Sequence, residues 1–521
     1  MDNRLLAGLP NRVPTCKAVD MSKKKIASRL GGLVLAMLAA GTGWYLSQRE
    51  TTCTNKCNIL LVSIDSLRAD HMGAYGYNRD TTPNFDRLAQ QGSLFLNTSS
   101  ASFLTPISEM SVFSGLYPTS HGLLNFDGVL SDQVKTLPQY MKTNGYRTVA
   151  LTSSPEFLVY PGLRQSFSKG FDSYPDQSDK RTSEQVNDRS NPPIQSVNNA
   201  LANIASSNEK PTFMWLAIGS VHWPFGKGVE NRYADKDYKG VFSGTPDFRT
   251  LFAYNGILYP SKVPIRDEDT QYVRDQYDNG VRGMDDYLGQ ILDSLKEQKL
   301  DKKTIIVIQS EHGEGLGENG YYAHYDIFDT ETRVPLLIVD PRNKEQKRVK
   351  SSVGSVDILP TVLEMTNNSV PSSIQGRSLL GIMNGDESDG KRDAAYIERV
   401  PLWEETSLEL VQQVLGIRGI KNEKTGARDI AIRTEKWKYI KRLAKDRVEE
   451  ISWWKAISGS PVTVPPEELY DLEADPLETK NVISEHPDVA AELRTRLDAW
   501  YAKVNSQRQP TKSTELIQPY Q

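Results

Sequence analysis

The chain carries no surplus of basic residues: 62 Lys and Arg face 66 Asp and Glu, for a formal net charge of −4. A nucleic-acid binder needs a basic surface, so no nucleic-acid partner is expected. Internal repeats are absent, as are long low-complexity tracts, which excludes solenoid architectures. Cysteine is scarce, with three in 521 residues. Cys16 falls in an N-terminal leader. Cys53 and Cys57 flank Thr54-Asn55-Lys56 and fit a small disulfide loop in an oxidising compartment. Two unpaired thiols are the plainer alternative, and metal binding by so few ligands is the least favoured. Long apolar runs are missing too, with one exception.

That exception lies near the N-terminus. Lys23-Lys24-Lys25 and Arg29 precede an uncharged stretch from Leu30 to Gln48, a positive segment followed by an apolar one. It is close to the roughly 17-residue lower limit for a membrane span. A signal anchor and a cleaved signal peptide both fit. Trp44 and Tyr45 sit where interfacial aromatics sit and favour the anchor, whereas Ala39-Ala40-Gly41 makes a weak cleavage site. Either way the positive-inside rule places the rest of the chain outside the cytoplasm, on the periplasmic or extracellular side, and as an anchor this helix would be the contact with the membrane. Met21-Ser22-Lys23 begins such a segment normally, so Met21 is the expected start.

Apolar content of 38% and charged content of 25% describe a globular remainder long enough for one large domain and a smaller one. The expected division is a leader (1–29), the anchor or signal peptide (30–48), a catalytic α/β domain (58–390), a C-terminal α+β subdomain (391–505) and a tail (506–521). Strands are expected at 58–64, 146–151, 213–218, 304–310 and 335–339, where β-branched and aliphatic runs read as strands buried on both faces. Val281, Met284, Leu288, Ile291, Leu292 and Leu295 give helical spacing over 277–298. Residues 226–270 read as a long loop or lid. Beyond residue 390 a hairpin around Glu435-Lys436, a strand at 468–472 and a helix over 487–504 predict a small antiparallel sheet with a terminal helix. Residues 449–465 read as an inserted loop.

Two of the apolar runs end in metal-ligand residues. Asn58–Ile64 runs into Asp65, and Thr304–Ser310 runs into Glu311-His312-Gly313-Glu314. Ligands of open α/β sheets bind beyond the carboxyl ends of the strands. Two carboxylates and an imidazole therefore converge where a divalent cation could sit, which points to a metallohydrolase. Thr105-Pro106 opens a helix, with Thr as N-cap and Pro at the first helical position. Thr105 is then either a cap alone or a nucleophile, since a hydroxyl at a helix N-terminus meets the positive end of the dipole.

From Asn58 to His71 the sequence resembles the opening of the sulfatase family, within the alkaline-phosphatase superfamily. Tyr75-Gly76-Tyr77 with Thr82-Pro83-Asn84, Gly115-Leu116-Tyr117-Pro118 with His121-Gly122, Asn144 to Thr148, Ser310 to Gly317, Arg333 to Leu336, Val356 to Thr361 and Glu468 to Leu472 come in the family's order. The resemblance spans about 58–505. It implies an α/β sandwich with a central mixed sheet and a small C-terminal antiparallel subdomain. It also implies a metal site of Asp65, Glu311 and His312, completed by Thr105. His222, before Trp223-Pro224, matches a substrate-binding histidine, and His324 matches one that assists the leaving group. Arg68 and Asn125 fall at substrate-binding positions.

The departures from the family pattern carry information. Where sulfatases have Cys or Ser in a Cys-x-Pro-x-Arg motif that becomes formylglycine, this chain has Thr105-Pro106-Ile107-Ser108-Glu109. The extra methyl of Thr would yield a ketone rather than an aldehyde, so no formylglycine is expected. Thr is the nucleophile in relatives that cleave phosphodiesters or transfer phosphoethanolamine. Glu109 replaces the motif arginine. It could act as general base to Thr105. It could add charge to the metal site or meet a substrate ammonium. Or the site has decayed and Glu109 makes a salt bridge. Ser66 stands where the opening motif usually has a second Asp, which suits a site for one divalent ion: Ca, Mg or Mn, with Zn also compatible. The expected activity is membrane-anchored hydrolysis of a phosphate or sulfate ester, phosphodiesters favoured, in a glycan, a lipid headgroup or a small molecule. The alternatives are a non-catalytic protein of the same fold that binds an anionic glycan or headgroup, and a phosphoethanolamine-type transferase.

Overall fold

A computed structural model of the chain describes residues 52–53, 56–126, 128–175, 191–207, 210–243, 265–318, 322–324, 326–343, 345–386, 393–400, 429–443, 465–510 and 512–513. The leader, the stretch 30–48, the tail from 514 and most of 449–465 lie outside them. Among the described residues no helix is long and apolar enough to cross a membrane.

The central sheet has seven strands: β1 (Asn58–Ile64), β2 (Ser93–Ser99), β3 (Arg147–Thr152), β4 (Thr212–Ile218), β5 (Thr304–Ser310), β6 (Arg333–Val339) and β7 (Lys347–Gly354), in the order β7-β2-β6-β5-β1-β4-β3. β6 runs antiparallel to both neighbours and the other pairs are parallel, so the sheet is mixed. The expected strands are present, shifted by one or two residues at their ends. β2 and β7 were not anticipated; both are partly polar and sit at the sheet's outer side.

Strand alternation sorts the core into two layers. Ile59 and Leu61 of β1, Trp215 of β4 and Ile305 and Val307 of β5 pack on one side, with Ile107, Met110 and Phe113 of helix α1 (Thr105–Ser114). Leu60, Val62, Met214, Leu216, Ile306 and Ile308 face the other side, against Tyr277, Val281, Met284 and Leu288 of helix α2 (Asp267–Glu297). α2 begins ten residues before the expected start, inside the segment read as a lid. The Asp269 carboxylate accepts the Arg266 backbone N–H at 2.8 Å, which caps the first turn and extends the helix through a charged, weakly patterned stretch.

The C-terminal sheet comprises β8 (Ala395–Arg399), β9 (Asp429–Arg433), β10 (Trp437–Arg442) and β11 (Glu467–Asp471), all antiparallel and in chain order. Helix α3 (Pro487–Ser506) covers it through Leu493 and Leu497. Residues from Thr52 onward form one compact unit, and buried charges tie its parts together. Lys438 Nζ lies 2.9 Å from Asp329 and 3.2 Å from Glu478, Arg433 pairs with Asp329 at 2.9 Å, and Arg442 pairs with Asp326 at 2.7 Å. Asp326 and Asp329, the latter opening the short helix Asp329–Thr332, follow His324 closely, so the small sheet anchors the segment next to it. Cys53 and Cys57 are disulfide-bonded, as the first of the three readings of that pair expected.

Candidate active site and metal centre

Ile64 pairs with Ser310 on one side and with Ile218 on the other, so the three central strands end level. The residues directly after each strand emerge at one edge. Asp65 N–H donates to the Ile218 carbonyl at 2.9 Å and Glu311 N–H to the Ile64 carbonyl at 3.2 Å, carrying the register one residue past the strands. The alternation that sends Ile59 and Leu61 toward α1 sends Ser63 and Asp65 the same way. Likewise Ile305, Val307, Gln309 and Glu311 share that side. Both acids therefore meet the N-terminus of α1.

Asp65, Glu311 and His312 are buried, and their ligand atoms lie within 4.8 Å of one another. Thr105 closes the group: its Oγ1 is 2.9 Å from His312 Nε2 and 3.5 Å from Asp65 Oδ1. The expected N-cap role is not what the structure has. Leu104 occupies the cap position without a side-chain bond, Thr105 is the first helical residue, and its hydroxyl points at the cluster instead. His312 Nδ1 lies 2.8 Å from the Gly313 carbonyl. A carbonyl only accepts, so Nδ1 carries the proton and Nε2 presents a lone pair to the cluster. Ser66 adopts φ 60° and donates to Asp65 Oδ1 at 3.1 Å, and Ser108 donates to the Glu311 carbonyl at 2.6 Å. Two carboxylates, an imidazole and a hydroxyl in one buried pocket fit a divalent cation in donor type and spacing.

A second group adjoins the first. His222 comes after β4, and His324 after a short strand at Tyr322–Ala323. With Glu314 they bring three ligand atoms within 4.8 Å of one another. The His324 ring centroid is 4.2 Å from that of His312 and 5.2 Å from that of His222. His324 Nδ1 is 3.1 Å from Glu314 Oε1, and His222 Nδ1 donates to the Trp223 carbonyl at 2.8 Å. Glu314 is the member of this group to which sequence reasoning gave no role. Its place directly after the His312-Gly313 ligand turn was the available signal.

The structure places three other expected site residues apart from these groups. Arg68 is buried, and its guanidinium pairs with Asp70 at 2.7 Å and Glu318 at 3.0 Å and donates to the Glu314 carbonyl at 2.9 Å. Burial pushes the Glu318 carboxyl up, but the Arg68 charge, backbone hydrogen bonds and the Arg274 charge together hold the group below its ordinary value. Arg68 thus braces the ligand loop from behind. Glu109 lies one helical turn beyond Thr105, and its carboxylate accepts Ser63 Oγ at 2.8 Å and Gln309 Nε2 at 2.9 Å. Ser63 and Gln309 precede Asp65 and Glu311 by two residues, so Glu109 sits roughly 6.6 Å beneath the ligands. Among the described residues its carboxylate makes no hydrogen bond to the Thr105 hydroxyl and no salt bridge, and its partners are Ser63 and Gln309. Burial pushes its carboxyl up to about 7, against the opposing hydrogen bonds. Asn125 is buried in the loop after the short helix Pro118–His121, beside Gly128.

Comparison with known proteins bears on the family and the fold. Residues 57–368, more than half of the chain, match the family model described as Sulfatase, and residues 317–424 match the C-terminal model of N-sulphoglucosamine sulphohydrolase. Iduronate 2-sulfatase of Mus musculus is 27% identical over 368 residues, covering 60% of this chain and 63% of the mouse protein. Arylsulfatase K of Gallus gallus is 24% identical over 531 residues, covering 93% and 90% respectively. Among solved structures, the phosphonate monoester hydrolase of Agrobacterium radiobacter superposes with a TM-score of 0.63 at 20% identity, over 88% of this chain and 97% of that one. At that identity the likeness concerns the fold.

Proposed function

The chain belongs to the sulfatase family, and from that premise we propose that it is a metal-dependent hydrolase of phosphate or sulfate esters, phosphodiesters favoured, with Thr105 as nucleophile. The observation that carries this reading is the Thr105 hydroxyl, 2.9 Å from His312 Nε2 at the start of α1. The helix N-terminus favours an anionic ester and an alkoxide. A divalent cation held by Asp65, Glu311 and His312 would, when bound, lower the hydroxyl pKa and polarise the ester. Thr105 Oγ1 would give its proton to solvent as it bonds to phosphorus, the bond to the leaving oxygen breaks, and protonated His324 gives its proton to that oxygen. Water attacks the phospho-threonine and restores Thr105.

A threonine at this position supports the phosphorus-ester reading. A threonine cannot be oxidised to the aldehyde that formylglycine-dependent sulfate hydrolysis needs, and a fold neighbour is a phosphonate monoester hydrolase. Placement outside the cytoplasm, through an anchor or signal peptide at 30–48, is part of the same proposal. The Cys53–Cys57 disulfide supports it, because such bonds persist in oxidising compartments. The test is turnover of p-nitrophenyl phosphodiester, phosphonate, phosphate monoester and sulfate, with metal content measured in parallel. Thr105→Ala should abolish turnover and leave circular dichroism unchanged. Undiminished rates in that variant would remove Thr105 from the mechanism, and absence of both metal and turnover would favour a binding role.

A further inference from the structure

The central strands start level as well as end level. Asn58 N–H donates to the Lys303 carbonyl at 2.8 Å, the Asn58 side chain accepts Thr212 N–H at 2.8 Å, and Arg147 N–H donates to the Pro211 carbonyl at 2.9 Å. The amino ends of β1, β3, β4 and β5 therefore form one edge, opposite the edge that carries Asp65, Glu311 and His222. That amino edge is rich in cations. Of the acids described in its turns, Asp172 pairs with Lys142, Asp301 with Lys302, Asp340 with Arg342 and Glu345 with Lys347. Lys56, Arg147, Lys210, Lys299 and Lys303 stay without a salt bridge among the described residues, and the lysines among them are exposed. A chain with a formal net charge of −4 thus turns a positive face to solvent at one end of its sheet.

The chain also leaves the folded unit at this edge. Cys53 N–H donates to the Lys302 carbonyl at 3.1 Å, and the Cys53–Cys57 disulfide closes the segment onto the start of β1. Arg49, Glu50 and Thr51 alone separate Thr52 from the uncharged stretch that ends at Gln48, a reach of at most about 14 Å. We infer that this basic edge docks on an anionic phospholipid bilayer, the membrane entered by 30–48. Each Lys or Arg near such a surface favours binding about fivefold, within a Debye length of about 8 Å. The inference rests on the anchor proposed above and deepens it, because it fixes which end of the sheet meets the membrane. β1 spans seven residues, about 23 Å. The catalytic edge is then held more than a Debye length from the bilayer, so the lipid charge does not repel an anionic ester there. The substrate comes from the aqueous side, as a soluble ester or a glycan, and not from the headgroups of the membrane below.

The test reads lysine reactivity. The full chain is reconstituted into vesicles of phosphatidylcholine alone or mixed with phosphatidylglycerol. It is then treated with a membrane-impermeant amine-acylating reagent and mapped by peptide mass spectrometry. In the anionic vesicles Lys56, Lys210, Lys299 and Lys303 should react about fivefold less, or lower still, than in neutral ones, and high salt should restore them. Lys236 and Lys239, exposed in the segment that follows β4 at the catalytic edge, should react alike in both. The double variant Lys210→Glu, Lys299→Glu should lose the protection of Lys56 and Lys303, while its turnover of a p-nitrophenyl ester in detergent stays at the wild-type rate. Equal reactivity of the basic lysines in the two lipids would overturn the inference. Flotation separates it from the anchor. A chain that floats with neutral vesicles has the anchor, whatever the lysines show. A chain that floats only with anionic vesicles, and loses that in the double variant, lacks the anchor and keeps the docking face. One that floats with neither lacks both.

Discussion

Glu109→Gln probes the layer beneath the metal ligands. The Glu109 carboxyl is fully buried, and its removal from water raises its pKa from 4.5 to about 7. The sign comes from linkage: a carboxyl that binds its proton more tightly folded than unfolded stabilises the protein fully below the unfolded value. As pH rises from 4.5 toward 7, the unfolded chain ionises first, and stability drains by about 1.4 kcal/mol per unit, about 3 kcal/mol in all. Glutamine does not titrate. Its amide has the same shape, and Gln309 can turn to meet it, since the Gln309 Oε1 atom has no partner among the described residues. Urea unfolding of both proteins, monitored by tryptophan fluorescence, should show the variant gaining about 3 kcal/mol on the wild type between pH 4.5 and about pH 8. A difference constant to within about 0.5 kcal/mol would refute the reasoning. Turnover separates this structural role from general-base catalysis, because loss of a true base would cost about a hundredfold or more in kcat.

Gly313→Ala should weaken metal binding by about tenfold, read by titration calorimetry. A Cβ there would lie 2.2 Å from the Thr330 carbonyl oxygen, so the turn carrying His312 must move. Lys438→Met should cost about 3 kcal/mol in urea unfolding, since it strips a buried partner from Asp329 and Glu478; an unchanged midpoint would show the network to be dispensable. Addition of Ca²⁺, Mg²⁺, Mn²⁺ or Zn²⁺ at a hundred times its dissociation constant should stabilise the fold by about 2.7 kcal/mol. Asp65→Asn should lessen that gain, as a thermal melt would record.

The sheet centre was legible because its strands are buried on both faces. Asn58–Ile64 and Thr304–Ser310 are apolar almost without interruption, and each is followed by an acid, so the sequence alone pointed to Asp65, Glu311 and His312, which the fold brings together. Ser93–Ser99 and Lys347–Gly354 were not anticipated as strands; both carry several polar residues and lie toward one side of the sheet. Serine, asparagine, threonine and lysine interrupt both, so neither alternation nor a continuous apolar run stands out, and pairing of Ser93–Ser99 with Lys347–Gly354 and with Arg333–Val339 makes them strands. Glu109 escaped for a different reason. A spacing of four residues does put it on the face of α1 that carries Thr105, but every residue of that helix is buried. One turn along a wholly buried helix reaches a different layer of the sheet. There Ser63 Oγ accepts Trp215 Nε1–H at 3.1 Å and Gln309 Nε2–H at 2.9 Å while donating to Glu109. Helical spacing names a direction, whereas the depth of a side chain is set by strand register. Arg68 illustrates the same limit through charge. Its position three residues after Asp65 suggested an anion partner, and its guanidinium is bound by Asp70 and by Glu318, 250 residues away. A motif residue can thus be read for its chemistry from sequence, but which partner satisfies it depends on acids that the fold brings alongside.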